Sequence, residues 1–220
     1  MDPGVDPGLR TPSRVCGAAP ECDGAVFLQQ WLRTPGQIGA IAPSSPRLAR
    51  TITTSIPEHA DPVVVELGAG TGPFTAEIQR RLAGRGRHLA VEVNPRLAHL
   101  LRNRFTGTEI IEADARHLPS LLLERGLRHA DVVISSLPWT VFPPATQDLL
   151  LHAVLDVLTP HSVFSTFAYV HSSPLAGARR FRALSARHFE EVIPSHVVWR
   201  NLPPAFVLHA RRPRQLRSVG

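Results

Sequence analysis

Val63-Val64-Val65-Glu66-Leu67-Gly68-Ala69-Gly70-Thr71-Gly72-Pro73-Phe74 decides the fold. A β-branched run reaches an acid and passes at once into three alternating glycines. Beyond them Phe74, Ile78 and Leu82 recur every fourth residue, the period of a helix face. Strand, glycine turn and helix in that order build a nest of backbone N–H groups at a helix N-terminus. The dinucleotide fingerprint requires Gly-x-Gly-x-x-Gly, and its third glycine would fall on Pro73. The P-loop requires a lysine, and the chain contains none. One glycine suffices for an ordinary tight turn. Three, with Glu66 two residues ahead, indicate a ligand-binding turn.

The rest of the chain alternates in the same way. Strands are expected at residues 89–93, 108–111, 131–135 and 162–169, and helices at 95–105, 145–158 and 176–187. A closing pair of strands is expected at 192–199 and 205–210, around Leu202-Pro203-Pro204. Upstream, Ser45-Pro46 reads as an N-cap followed by proline at the first helical position, with Leu48, Ile52 and Ile56 on one face. The pattern predicts an α/β fold, a doubly wound seven-stranded sheet with an N-terminal helical extension. Right-handed crossovers place the C-terminal ends of the parallel strands on one edge, where ligands bind.

The chain has 220 residues, 43% of them hydrophobic, and a net charge of +6. That is enough for one domain with a real core. No apolar stretch approaches a membrane span, and the N-terminus lacks the pattern of a signal peptide. Residues 1–23 read as a disordered leader, 24–60 as N-terminal helices, 61–212 as the catalytic domain and 213–220 as a basic tail. In the helical segment Val26, Phe27, Leu28, Trp31 and Leu32 form an apolar stripe that suits either a lid or a membrane contact. Every basic side chain other than histidine is arginine, and nine arginines against two glutamates follow Ala176. Cys16 and Cys22 both fall in the leader and make no disulfide framework. The histidines form no metal-binding pattern, so no metal site is expected.

Two further acids end strands. Glu92 lies twenty residues beyond Gly72, where a carboxylate can accept from both hydroxyls of a ribose. Asp114 could accept from an adenine amino group while Ala115 offers a backbone N–H; Glu112 competes with Asp114 for that role. After the fourth strand comes Ser135-Ser136-Leu137-Pro138-Trp139, where an acceptor would lie.

The glycine turn resembles motif I of the class I S-adenosylmethionine-dependent methyltransferases. That resemblance implies S-adenosylmethionine as cofactor, held by Glu66, Gly68, Ala69, Gly70, Gly72, Glu92, Asp114 and Ala115. An acid and bare glycines suit a ligand bearing an ammonium and a sulfonium. From Phe27 to the end the chain resembles the soluble bacterial phospholipid N-methyltransferases. The matching pieces are Gly39-Ala40-Ile41-Ala42-Pro43-Ser44-Ser45, motif I, Val91-Glu92-Val93-Asn94-Pro95, Ser136-Leu137-Pro138 and Val198-Trp199-Arg200-Asn201-Leu202-Pro203-Pro204-Ala205. This implies a phosphatidylethanolamine-type acceptor, reversible association with an anionic membrane and a cytoplasmic or peripheral location. More distantly the chain resembles rRNA adenine dimethylases, which carry Asn-Leu-Pro-Tyr/Phe where this chain has Ser136-Leu137-Pro138-Trp139. The missing asparagine makes nucleic acid an unexpected substrate. A small-molecule methyltransferase of secondary metabolism is the other alternative.

In-line methyl transfer needs mainly positioning. Ser136, Trp139 and Tyr169 are the candidate catalytic residues. Trp139, Tyr169 and Trp199 could form an aromatic cage for a methylated ammonium, or serve as core aromatics. Trp199, Arg200 and Asn201, expected at a strand end, are candidate substrate contacts. Arg200 could hold a lipid phosphate or cap the Pro-Pro turn.

Overall fold

The computed structural model describes residues 44–214. The expected leader, the stripe at 26–32 and the tail beyond 214 lie outside the described residues. Ser45 caps the first helix, α1 (Pro46–Ile52), its hydroxyl accepting from Leu48 N at 3.2 Å. Then follow β1 (Val63–Leu67), α2 (Pro73–Leu82), β2 (Arg87–Glu92), α3 (Pro95–Arg104), β3 (Glu109–Glu112), α4 (Leu118–Leu123) and β4 (Ala130–Ser135). The second half runs α5 (Pro144–Leu155), β5 (Leu158–Tyr169), α6 (Ala176–His188), β6 (Phe189–Pro194) and β7 (Ala205–Pro213).

One seven-stranded sheet has the order β3-β2-β1-β4-β5-β7-β6. The first five strands are parallel, and β7 pairs antiparallel with both β5 and β6. Strand order reverses between β1 and β4, so the loops leaving those two strands diverge to opposite faces and open a crevice between them.

Alternation along the strands sorts the core onto two faces. Val64, Val132, Ile134 and Val207 meet Leu48 and Ile52 of α1 and Phe74 and Ile78 of α2. Ala90 and Leu101 continue that face beneath α3. On the other face Val65, Leu67, Val91, Val133 and Phe164 pack against α4, α5 and α6. Each fully buried large apolar side chain stabilises the fold by roughly 1.5–3 kcal/mol relative to exposure.

Two elements differ from the sequence reading. The last-but-one strand is Phe189–Pro194 rather than residues 192–199. Phe189 is drawn into the core, stacked on Phe164 with centroids 6.1 Å apart, and this starts the strand as soon as α6 ends. Pro194 has no N–H to extend the ladder. Residues 195–204 then form a loop tied to β7 by Ser195 N donating to Val207 O at 2.8 Å and by an isolated bridge, Val198 to Ala205. The second difference is α4, a short helix that the sequence reading did not identify. Its Pro119 sits in the first turn, where proline fits, and Leu118, Leu121 and Leu122 are buried.

Candidate active site

The glycine turn departs from β1 with Gly68 at φ +73°, Gly70 at +59° and Gly72 at +87°. These are left-handed values that side chains seldom adopt. Space adds a second constraint at two of them. A Cβ on Gly68 would stand 3.0 Å from Leu137 Cδ2, and one on Gly72 would overlap the Phe105 ring. Arg104 braces the turn from outside, donating to Thr71 O at 3.2 Å.

Beside the turn lies a cleft of about 120 Å³, lined by Gly68, Gly70, Glu92, Ala115, Ser136 and Leu137 among others. Its lining therefore comes from the ends of β1, β2, β3 and β4, at the point where strand order reverses. Glu92 is 2% exposed and ends β2. Its Oε2 accepts from Gly70 N at 2.8 Å and its Oε1 from Asn94 N at 2.9 Å. Each oxygen keeps a further lone pair for a ligand hydroxyl. Burial pushes the Glu92 carboxyl above its ordinary value. The backbone N–H groups of Asn94 and Gly70 pull it back, and the charge of Glu66 adds to the rise.

Glu66 itself does not line the cleft. Two-residue alternation turns it to the α2 face, where it is fully buried. Thr75 donates to its Oε2 at 2.8 Å, and His88 Nε2 stands 3.3 Å from the same oxygen. Oε1 has no hydrogen-bond partner among the described residues. Ala69 is buried against α3 within the turn. Asp114 caps the short turn Ala115–His117, accepting from Arg116 N at 2.8 Å. Its other oxygen is held by the Arg116 guanidinium at 3.0 and 3.1 Å. It lines a smaller adjoining cavity that shares Ala115 and Leu137 with the first. Glu112, its rival, is exposed and pairs with Arg102 at 3.2 Å.

Of the candidate catalytic residues, Ser136 alone lines the cleft. Its N–H is bound to Leu67 O at 2.8 Å, which holds the end of β4 against the end of β1. Trp139 is a correction. It is 3% exposed and stacks on Phe181 with centroids 4.5 Å apart, inside the core beneath α6. Its Nε1 donates to Ser135 Oγ at 3.0 Å, so the indole's polar edge is satisfied internally. Tyr169 is also away from the cleft, packed edge-on to Phe167 at 5.5 Å on the α1 face. Burial pushes its phenol up to about 12, so it stays protonated near neutrality and cannot act there as a base.

The three substrate candidates separate. Trp199 is 71% exposed and Arg200 is exposed; neither lines the cleft, because the strand meant to aim them ends at Pro194. Asn201 is 2% exposed and structural. Its Oδ1 accepts from Ser45 N at 2.9 Å and its Nδ2 donates to Pro203 O at 2.7 Å, tying the entry of α1 to the β6–β7 loop. An aromatic cage of Trp139, Tyr169 and Trp199 is therefore not assembled. The sequence reading also assigned no role to Asn94, whose N–H orients Glu92 and whose side chain caps α3. The dipeptide Asn94-Pro95, cap followed by N1 proline, carried the signal.

This architecture agrees with what known proteins share with the chain. Residues 64–161 match a methyltransferase domain family. An ornithine lipid N-methyltransferase of Singulisphaera acidiphila is 39% identical over 82% of this chain and 91% of that protein. A ribosomal RNA small subunit methyltransferase A of Thermotoga neapolitana is 27% identical, over 54% of this chain and 44% of that one. Among solved structures, a TehB-like S-adenosylmethionine-dependent methyltransferase of Corynebacterium glutamicum superposes with a TM-score of 0.56 at 12% identity, over 86% of this chain and 97% of that one. The methyltransferase-domain match, the extent of the lipid N-methyltransferase match and the common fold lead to one assignment: the chain belongs to the class I S-adenosylmethionine-dependent methyltransferases.

Proposed function

We propose that the enzyme N-methylates the amine of a lipid head group, of the ornithine-lipid or phosphatidylethanolamine kind. The observation that carries this reading is the 39% identity to an ornithine lipid N-methyltransferase over 82% of this chain and 91% of that one. The geometry is consistent with it. Ser136, Leu137 and Pro138, at the acceptor end of β4, line the same cleft as Gly68, Gly70 and Glu92.

The residues present fit S-adenosylmethionine. Gly68 leaves bare the backbone that a Cβ would cover, and Glu92 offers two oxygens with spare lone pairs. When bound, the cofactor supplies a methyl group activated by a sulfonium. Glu92 would accept from the ribose hydroxyls, and Ala115 would offer its N–H to the adenine. Asp114 is already held by Arg116 and would fix the ring's edge from the adjoining cavity. Glu66 would act from beneath the turn by its charge, from its buried place beside Thr75 and His88. Among the described residues neither Glu66 nor Glu92 forms a salt bridge with an arginine, which suits a ligand carrying two cationic centres. The Ser136 hydroxyl and neighbouring carbonyl groups would orient the acceptor N–H, and the close approach of β4 to β1 sets the distance between acceptor and donor.

The test offers labelled S-adenosylmethionine together with ornithine-lipid vesicles, phosphatidylethanolamine vesicles, RNA and a panel of small amines. Label in the lipid fraction is expected. Label confined to RNA adenine would reverse the ranking in favour of an rRNA dimethylase. Label confined to a small amine would replace the lipid by a soluble acceptor.

A further inference from the structure

The β6–β7 loop, residues 195–204, carries two large apolar side chains that the fold turns outward. Trp199 is 71% exposed and Leu202 74%, with exposed Arg200 between them. Scattered exposed leucines are ordinary, but a tryptophan and a leucine at one loop tip form a patch.

The tip is braced rather than loose. Val198 N donates to Ala205 O at 2.7 Å, Asn201 N to Val198 O at 3.1 Å, and the Asn201 side chain locks the loop to Ser45. The buried residues Val198 and Asn201 thus serve as the foot that presents Trp199 and Leu202. Position matters as much as exposure. Ala205 pairs with Tyr169, the last residue of β5, so the loop stands on the edge of the sheet where the cleft opens. Val170 N donates to Pro204 O at 2.9 Å, which joins the loop to residues 170–175 and to Leu175, itself 51% exposed.

Charge sets what this rim can meet. Residues 192–220, which include the loop and Arg200, contain no aspartate or glutamate, and at the start of α6 Arg179 and Arg182 donate to the carbonyls of Pro174 and Ser173 in the neighbouring loop. An apolar tip bearing a tryptophan and Arg200, on a stretch (residues 192–220) that holds no carboxylate, matches an anionic bilayer surface. The indole suits the head-group boundary, and each arginine gains from nearby anionic lipid.

We infer that the β6–β7 loop is the membrane-docking element, inserting Trp199 and Leu202 at the head-group boundary so that the cleft faces the lipid surface. This deepens the lipid-acceptor reading and rests on it for the purpose of docking, though not for its measurement. Arginine and apolar insertion act together here, as they do for amphipathic elements that lie on membranes.

The experiment uses the full chain and vesicles of phosphatidylcholine with or without phosphatidylglycerol. Wild-type protein is expected to sediment with anionic vesicles and to release as salt rises. Trp199→Ser/Leu202→Ser is expected to bind roughly tenfold to a hundredfold more weakly, by the apolar area it withholds. Both side chains are exposed, so its melting temperature and its S-adenosylhomocysteine affinity should match wild type. Methylation of a detergent-dispersed acceptor should persist, while methylation of the same lipid in vesicles should fall. Brominated lipids should quench the fluorescence of a Trp31→Phe protein, because Trp139 is buried in the core and leaves Trp199 as the reporter. Unchanged sedimentation of the double variant would overturn the inference. So would absent quenching. A wild type that labels no lipid yet is quenched would sink the acceptor reading and leave the docking surface standing.

Discussion

Glu92→Ala removes the one carboxylate that both builds the glycine turn and faces the cleft. In the folded protein it accepts from Gly70 N at 2.8 Å and from Asn94 N at 2.9 Å. Hydrogen bonds to a charged group contribute about 1.5–3 kcal/mol each. Two offsets apply to stability: water can enter the open cleft to serve the freed N–H groups, and the variant no longer buries a charge repelled by Glu66. A net loss of about 2 kcal/mol remains, or roughly 4–8 °C in melting temperature for a domain of this size. Ligand affinity should fall further. Two ribose hydroxyls that lose a carboxylate acceptor forfeit at least about 3 kcal/mol, roughly 150-fold in the S-adenosylhomocysteine dissociation constant. Calorimetry with that ligand measures the second number and thermal unfolding the first. The pH dependence separates the two roles. Since the folded carboxyl titrates above its unfolded value, its contribution to stability is present below the unfolded value and is lost as pH rises through the folded one. Ribose hydroxyls favour the ionised form, so affinity runs the other way, falling as pH drops through the raised value. Glu92→Gln should flatten the affinity trend. Unchanged affinity in the alanine variant, or the same pH trend in the glutamine variant, would refute the ribose assignment.

Trp139→Ala should cost about 3–5 kcal/mol in urea unfolding, as core aromatic truncations do. Trp139→Phe, which keeps a ring over Phe181 but loses the bond to Ser135, should cost about 1–2 kcal/mol and leave S-adenosylhomocysteine affinity unchanged; a loss of affinity without a loss of stability would return the ring to the site. Tyr169→Phe should leave the shape of the pH–rate profile near neutrality intact, because the phenol titrates at about 12; disappearance of a limb of that profile would show that the tyrosine titrates in catalysis. Asn201→Ala frees Ser45 N and Pro203 O and should cost about 1–3 kcal/mol, read as faster limited proteolysis near residues 44–52 than elsewhere; uniform proteolysis would mean that the clamp does not hold α1.

The sheet and its ligand edge were legible because both depend on local patterns. The run Val63–Leu67 with the glycines after it acts within one strand–turn–helix unit, and Glu92 ends the next strand. The errors concern residues whose neighbours come from far along the chain. Trp139 follows a strand end, as a stacking aromatic would, but Phe181 lies more than forty residues away and its position is set by the packing of α6. Asn201 reads as a polar loop residue, and its partner Ser45 is 156 positions distant. Glu66 was placed beside the ligand because it precedes the turn. Strand alternation faces it to Thr75 and His88, and nothing local distinguishes that second partner from a solvated histidine. The shift of β6 has the same origin, since Phe189 begins the strand to reach Phe164.

The segment Ser135–Trp139 explains how one cofactor frame can serve different acceptors. Ser135 is fully buried and its hydroxyl takes bonds from Leu137 N at 3.3 Å and Trp139 Nε1 at 3.0 Å, while Thr166 donates to its carbonyl at 3.0 Å. Ser136 is fixed by its own N–H to Leu67. These bonds hold the segment at the end of β4, where Leu137 Cδ2 stands 3.0 Å from where a Cβ on Gly68 would be. What this segment presents to the cleft is Ser136, Leu137 and Pro138, with no planar amide among them. An asparagine at Ser136, as rRNA adenine dimethylases carry, would present a planar amide matched to a planar heterocycle. A serine gives that up and leaves room for a flexible aliphatic amine. Such an amine cannot be held by stacking, so its affinity must come from the rest of its molecule.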